Sequence, residues 1–337
     1  MTWRKTVSIL WFPVFFAVVL PVTFEVSYEQ QTPHEIAIAA VGDASRVRLL
    51  TNDLHRVANG FVVRKVASVA TATALVRHRK VDAAYVAGAA GTVYVARAAS
   101  AIGASYLQGV FTRIAAEAGR PAPRVVDLVP LDSGDGGTGI FFFVFPLMMT
   151  GLITAIVLLQ LPTWGVGRRV SFVVGVGAVG ALATYLTAVG LDVLPDNPLL
   201  LAYAFVLTQV YGQLMVGASH LLKQYFLPVS LSLALILSVP SSSGTIPLYL
   251  LPAFFRDLSY VLPLAQGVKV TRSVAYFHNV GIAQATLVLG LWVAIAAVAV
   301  GVAWLRQVRA REAGEGRSGV DTDGARRPVR APAPSGT

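Results

Sequence analysis

Residues 140–161 read IFFFVFPLMMTGLITAIVLLQL, twenty-two positions without a charge. A helix rises 1.5 Å per residue, so about 20 apolar residues cross a hydrocarbon core about 30 Å thick. No water is present there to satisfy open backbone groups, so such a run must bond to itself as a helix. Comparable runs occupy residues 7–24, 170–191, 199–222 and 281–305. A shorter one, 226–239, stops at Pro240 and has the length of a core or re-entrant helix as much as of a span. Charged residues make up 13% of the chain, against roughly 25% in soluble domains. The fold class expected is an α-helical polytopic membrane protein with six transmembrane helices.

Arg4 and Lys5 precede the first run, as they would in a secretory leader. Phe24, Glu25, Val26 and Ser27 supply no small-x-small cleavage site, however, and Pro13 and Pro21 interrupt the apolar stretch. An uncleaved anchor is expected. Short loops set the orientation through their Lys and Arg. Arg4 and Lys5, Arg168 and Arg169, Lys223, and Arg306, Arg309 and Arg311 all fall on one side if both termini are cytoplasmic. The loop at 192–198 carries two aspartates and no cation, as an outside loop would. The expected setting is the plasma (inner) membrane, with residues 28–137 outside.

Composition divides the chain into an anchor (1–27), an extracytoplasmic insert (28–137), a membrane domain (138–305) and a tail (306–337). In the insert, period-2 apolar runs alternate with helical patterns. Strands are expected at 36–41, 61–66, 82–86, 92–96 and 124–129, and helices at 45–58, 69–77 and 105–118. That order makes a mixed α/β sheet domain inserted between the first two spans. The tail from Glu312 lacks aromatics and is rich in Gly, Pro and Arg, the composition of a disordered basic segment. A solubilising tail is the first expectation for it, and contact of Arg326, Arg327 and Arg330 with anionic membrane lipid the second. The formal net charge of +10 is spread over insert, loops and tail without an aromatic-interleaved stripe, so no nucleic-acid partner is expected.

Catalytic and cofactor motifs fail on context. Gly134, Gly136 and Gly139 match G-x-G-x-x-G, but the helix that follows is a membrane span, so they are expected to form a flexible junction. Gly175, Gly177 and Gly180 repeat the pattern inside a span, where small residues let helix backbones approach. There is no P-loop, and the chain has no cysteine. His34, His55, His78, His220 and His278 are dispersed without ligand spacing. Ser241, Ser242 and Ser243 lack a nucleophile elbow and suit a turn with Pro240 and Gly244. No enzyme activity, cofactor or metal is expected. The well-defined spans carry no central carboxylate or histidine, which disfavours a proton-coupled pump or ion channel.

Residues 240–280 are too broken by Pro240, Pro247, Pro252 and Pro263 to form a span, yet too apolar for a solvated loop. Such backbone is tolerated near membrane depth only when packed in protein or lining a cavity. A re-entrant outer cap is expected, with Arg256, Asp257, Lys269 and Arg272 as its charges. The run Pro240, Gly244, Pro247, Leu251, Pro252, Phe254, Phe255, Leu262, Pro263 and then 270–277 with Arg272 and Tyr276 resembles the type-2 ABC transporter permease superfamily. More closely, it resembles the phage-infection-protein-like branch. The resemblance implies six spans, a large insert after the first, two re-entrant helices before the last, and a homodimer. It places Pro240, Gly244, Pro247, Pro252 and Arg272 at the outer gate, beside Arg256. The cytoplasmic leader 1–6 and the loop at 162–169 leave no room for long coupling elements, which favours the branch lacking an assigned ATPase.

Two functions follow as expectations. The first is a permease subunit of an ABC-type exporter for an amphiphilic or cell-envelope substrate. Any ABC ATPase would be a separate chain touching Arg168, Arg169 and Lys223. The second is a non-transporting envelope scaffold or receptor that binds a surface partner through the insert.

Overall fold

The computed structural model describes residues 3–29, 33–57, 59–88, 90–132 and 135–324. Helix α1 (Trp3–Glu29) leads into a sheet domain of β1 (Ile36–Val41), α2 (Ala44–Val57), β2 (Phe61–Val66), α3 (Val69–Arg77), β3 (Ala83–Val86), β4 (Thr92–Val95), α4 (Ala101–Glu117) and β5 (Arg124–Asp127). The strand order is β2-β1-β3-β4-β5, with only the β3–β4 pairing antiparallel. Central β1 reads IAIAAV and is covered on both faces, as parallel pairing on either side demands. Ile36, Ile38 and Ala40 meet Leu50 and Leu54 of α2 and Leu107 and Phe111 of α4. Ala39 points the other way, to Ala72 and Val76 of α3.

Four helical stretches among the described residues are long and apolar enough to cross a membrane: Gly139–Leu158, Val166–Gly190, Pro198–Leu237 and Ile282–Glu312. A shorter apolar stretch, Trp11–Ser27, lies in α1. The chain is therefore a helical membrane protein carrying a small mixed sheet. Helices α5 (Gly139–Leu158), α6 (Val166–Gly190) and α7 (Pro198–Leu222) pack on one another through small residues. A Cβ on Gly151 of α5 would sit 2.7 Å from the Gly212 nitrogen and the Thr208 carbonyl of α7, so the two backbones touch. Gly180 of α6 likewise admits Thr150.

The third stretch is not straight. Lys223 has a left-handed φ of 49°, and beyond it lie α8 (Phe226–Leu231) and a π-helical turn, Ser232–Leu237. The Tyr211 hydroxyl faces Ser238. Tyr211 lies about 16 Å before the end of α7 and Ser238 about 22 Å beyond Lys223 along helical backbone, so only a reversal at Lys223 brings them together. The arm ends in a turn at Pro240–Ser242, and Gly244 then packs on Phe141 at the start of α5.

Beyond Pro252 the chain forms a hairpin of α9 (Ala253–Leu258) and α10 (Pro263–Tyr276), followed by α11 (Ile282–Gly324). Trp292 of α11 donates from Nε1 to the Val261 carbonyl at the hairpin tip, 2.6 Å away. Trp292 is ten residues into α11, so the tip lies about 15 Å along that helix. The Ser259 carbonyl there accepts from Gln266 Nε2 at 2.6 Å and Lys269 Nζ at 3.1 Å, which satisfies backbone that no water reaches. Gly267 lets Leu207 and Val144 close on α10.

Some boundaries differ from the expectation. α4 begins at Ala101 rather than at 105, because Ser100 caps it by accepting the Gly103 amide at 3.0 Å. α11 continues as helix to Gly324 instead of dissolving at Glu312. Gln307 Oε1 accepts the Val166 amide at 2.8 Å, clamping the helix past residue 305, and no proline interrupts it before Pro328. Arg326, Arg327 and Arg330 lie outside the described residues. The glycine junction is tied rather than loose: Asp135 Oδ1 accepts the amides of Gly137 at 2.7 Å and Gly139 at 2.9 Å, capping α5. Gly134 lies outside the described residues.

Candidate functional site

The sheet domain rests on the end of the hairpin. Phe277, just past α10, fills the α3 face of the sheet beside Val81, Ala96 and Ala98. Arg79, just past α3, stacks on Phe277 at 5.2 Å and donates from Nη1 to Ser273 Oγ at 3.0 Å. On the other face, Tyr249 from the segment before α9 packs among Tyr106 and the α4 residues, and its carbonyl accepts the His34 amide at 2.9 Å. Tyr276 donates to the Val193 carbonyl at 3.2 Å and reaches Asp135 Oδ2 at 3.3 Å, joining α10 to the α6–α7 loop and the α5 cap.

Between these contacts lies a cavity of about 250 Å³. Arg79, Asp82, Ser100 and Ala104 line it from the sheet domain, and Ser243, Pro247, Tyr249, Lys269 and Arg272 from the membrane side. Arg272 is buried and donates from Nη2 to the Ser243 carbonyl at 3.2 Å, where Ser243 holds a left-handed φ of 51°. Lys269 reaches back to Ser259 and lies over the Tyr260 ring at 4.7 Å. Asp82 Oδ2 accepts the Ala37 amide at 2.8 Å. Burial pushes its carboxyl up to about 6, although that hydrogen bond and Arg79 pull the other way. Burial and the Asp82 charge together push the Tyr249 hydroxyl well above its usual range.

Among the expected gate residues, Pro247 and Arg272 meet in this cavity. Pro240 opens the short turn before it, and Gly244 seats that segment on Phe141. Pro252 precedes α9, which carries Arg256 outside the cavity; Arg256 Nη1 is buried without a hydrogen-bond partner. Lys269 is expected only as a charge of the cap, and Arg79, Asp82 and Tyr249 lie outside the expected site. On the opposite end of the bundle, Arg169 is buried and donates to the Trp164 carbonyl at 3.1 Å and the Leu161 carbonyl at 3.0 Å, closing the α5–α6 turn. Arg168, 4.1 Å over the Trp164 ring, and Lys223 remain exposed.

A second recess, apolar and about 410 Å³, lies between α6, α7 and α11. Its Gln209 and Gln213 donate to the Val173 and Val170 carbonyls of α6 at 3.4 and 3.3 Å, a polar tie between helices rather than a free site. Among the described residues no three His, Asp or Glu side chains gather as metal ligands. Fold and site together define a helical membrane protein whose sheet domain closes over a basic cavity. No protein-family model, curated protein or solved structure matches the chain.

Proposed function

We propose that this chain is the permease subunit of a type-2 ABC exporter for an amphiphilic or cell-envelope substrate, acting as a homodimer, with any ATPase on a separate chain. One observation carries the reading. The hairpin α9–α10 inserts beside α5, α7 and α11 to the depth of Trp292, and the sheet domain caps its emerging end. In this reading the chain crosses the inner membrane six times, through α1, α5, α6, α7, the α8 arm and α11. Both termini are cytoplasmic and the sheet domain is outside. Hairpin and cap form the outer gate, and Arg168 and Lys223 face the ATPase.

A second reading, an envelope scaffold or receptor without transport, is favoured by the α5–α6 connection. Residues 159–165 form a closed turn held by Arg169 and Gln307, with no coupling helix. Purification from native membranes in mild detergent, with mass spectrometry of stoichiometric partners, separates the two. A bound ABC ATPase that hydrolyses ATP with the complex supports the exporter. Recovery of the protein alone, or with envelope proteins and no ATPase, overturns it in favour of the scaffold.

A further inference from the structure

We propose that the cavity beneath the sheet domain binds a phosphate group. It sets three positive charges, on Arg79, Lys269 and Arg272, against the single carboxylate of Asp82. Among the described residues none of the three has a carboxylate within 4.0 Å; the four ion pairs present are formed by other residues of the sheet domain. Each cation is instead held by a neutral oxygen: Ser273 Oγ for Arg79, the Ser259 carbonyl for Lys269 and the Ser243 carbonyl for Arg272. A neutral oxygen orients a cation without cancelling its charge. Arg272 is only 7% exposed, and its Nε has no hydrogen-bond partner. Arg79 repels both Lys269 and Arg272, and Arg272 repels Lys269, while Asp135, which does not line the cavity, attracts Arg272. Arg272 lies at the buried end of the recess, Lys269 and Asp82 are half-buried, and Arg79 stands at its exposed rim; like charges gathered around one recess call for an anion.

The charge count selects the class. With Asp82 ionised the four side chains sum to two positive charges, which a phosphate monoester of about −1.5 to −2 neutralises and a carboxylate does not. Two guanidinium forks and one ammonium also suit tetrahedral phosphate oxygens. The volume, about 250 Å³, lies just below the roughly 300 Å³ lower end of ligand pockets and admits a headgroup without its acyl chains. Inorganic phosphate and the headgroup of a phosphomonoester lipid share this chemistry. The site stands whether or not the chain transports.

The test uses the full-length protein in mild detergent, titrated separately with radiolabelled inorganic phosphate and with radiolabelled short-chain phosphatidate, and with acetate as competitor. Saturable binding of at least one probe is expected, with acetate a poor competitor. Arg79→Gln should weaken it about tenfold or more, and Asp82→Asn should tighten it several-fold by removing the opposing charge. A variant that merely misfolds cannot bind more tightly, so the Asp82→Asn arm separates charge from damage. Tighter phosphatidate than phosphate assigns the site to a lipid headgroup, and the reverse assigns it to free phosphate; both uphold it. Absence of saturable binding for both probes, an affinity unchanged in both variants, or acetate competing as well as phosphate overturns the proposal.

Discussion

Replacing Asp82 by asparagine should change how the stability of the sheet domain depends on pH. The carboxylate is held at the start of β3 against the Ala37 amide of β1, with Arg79 and Tyr249 as its charged and titratable neighbours. Burial raises its pKa from 3.8 to about 6. The folded state therefore holds the proton more tightly than the unfolded chain, so the stabilisation is full below about pH 4 and is lost as pH rises through 6. At about 1.36 kcal/mol per unit, the cost is about 1 kcal/mol near pH 4.5 and about 3 kcal/mol near pH 7.5. Asparagine keeps an acceptor for Ala37 and never ionises. Hydrogen exchange of the β1 and β3 amides, compared between native and Asp82→Asn protein at the same pH, cancels intrinsic exchange. The variant's relative protection should grow about 30-fold between about pH 4.5 and about pH 7.5. A ratio that stays constant or shrinks would refute the assignment of a raised carboxyl at this position.

Three further outcomes follow. Arg169→Ala strands the Leu161 and Trp164 carbonyls and should cost about 1–3 kcal/mol in detergent unfolding, whereas Arg168→Ala loses only a ring contact worth about 0.5–1 kcal/mol. Gly151→Leu forces α5 away from α7 and should cost about 3 kcal/mol or more, while Gly175→Leu, which meets open space, should change the melting temperature little. In the exporter reading, Arg168→Glu combined with Lys223→Glu should abolish co-purification of the proposed ATPase without lowering membrane levels; its retention would remove those residues from the proposed docking surface.

Much of the fold is legible locally. β1, β2 and α3 fall on the residues their periodicity marks, and the apolar runs begin and end near the long helices. Ser100 does not stand out as a cap in the sequence, because Ile102 and Gly103 disguise the first turn of α4. The reversal at Lys223 rests on one left-handed residue, and the depth of the hairpin on Trp292 meeting Val261. The basic cavity is legible only in part. Arg272 stands out through the Pro-rich segment, but Arg79 and Ser273 are 194 residues apart and nothing in the spacing joins them. Asp82 reads as the first residue of a strand, and its burial becomes visible only when the sheet meets the hairpin.

Sidedness underlies the proposed gate and the proposed ATPase face alike, and the chain's lack of cysteine makes it directly measurable. Single cysteines at the exposed positions Arg46, Asp192, Arg168, Lys223 and Arg309 can be probed with a membrane-impermeant maleimide on intact cells. Arg46→Cys and Asp192→Cys should label from outside. Arg168→Cys, Lys223→Cys and Arg309→Cys should label only after permeabilisation. Outside labelling at 223, or protection at 46, would contradict a six-crossing chain with its sheet domain outside the membrane.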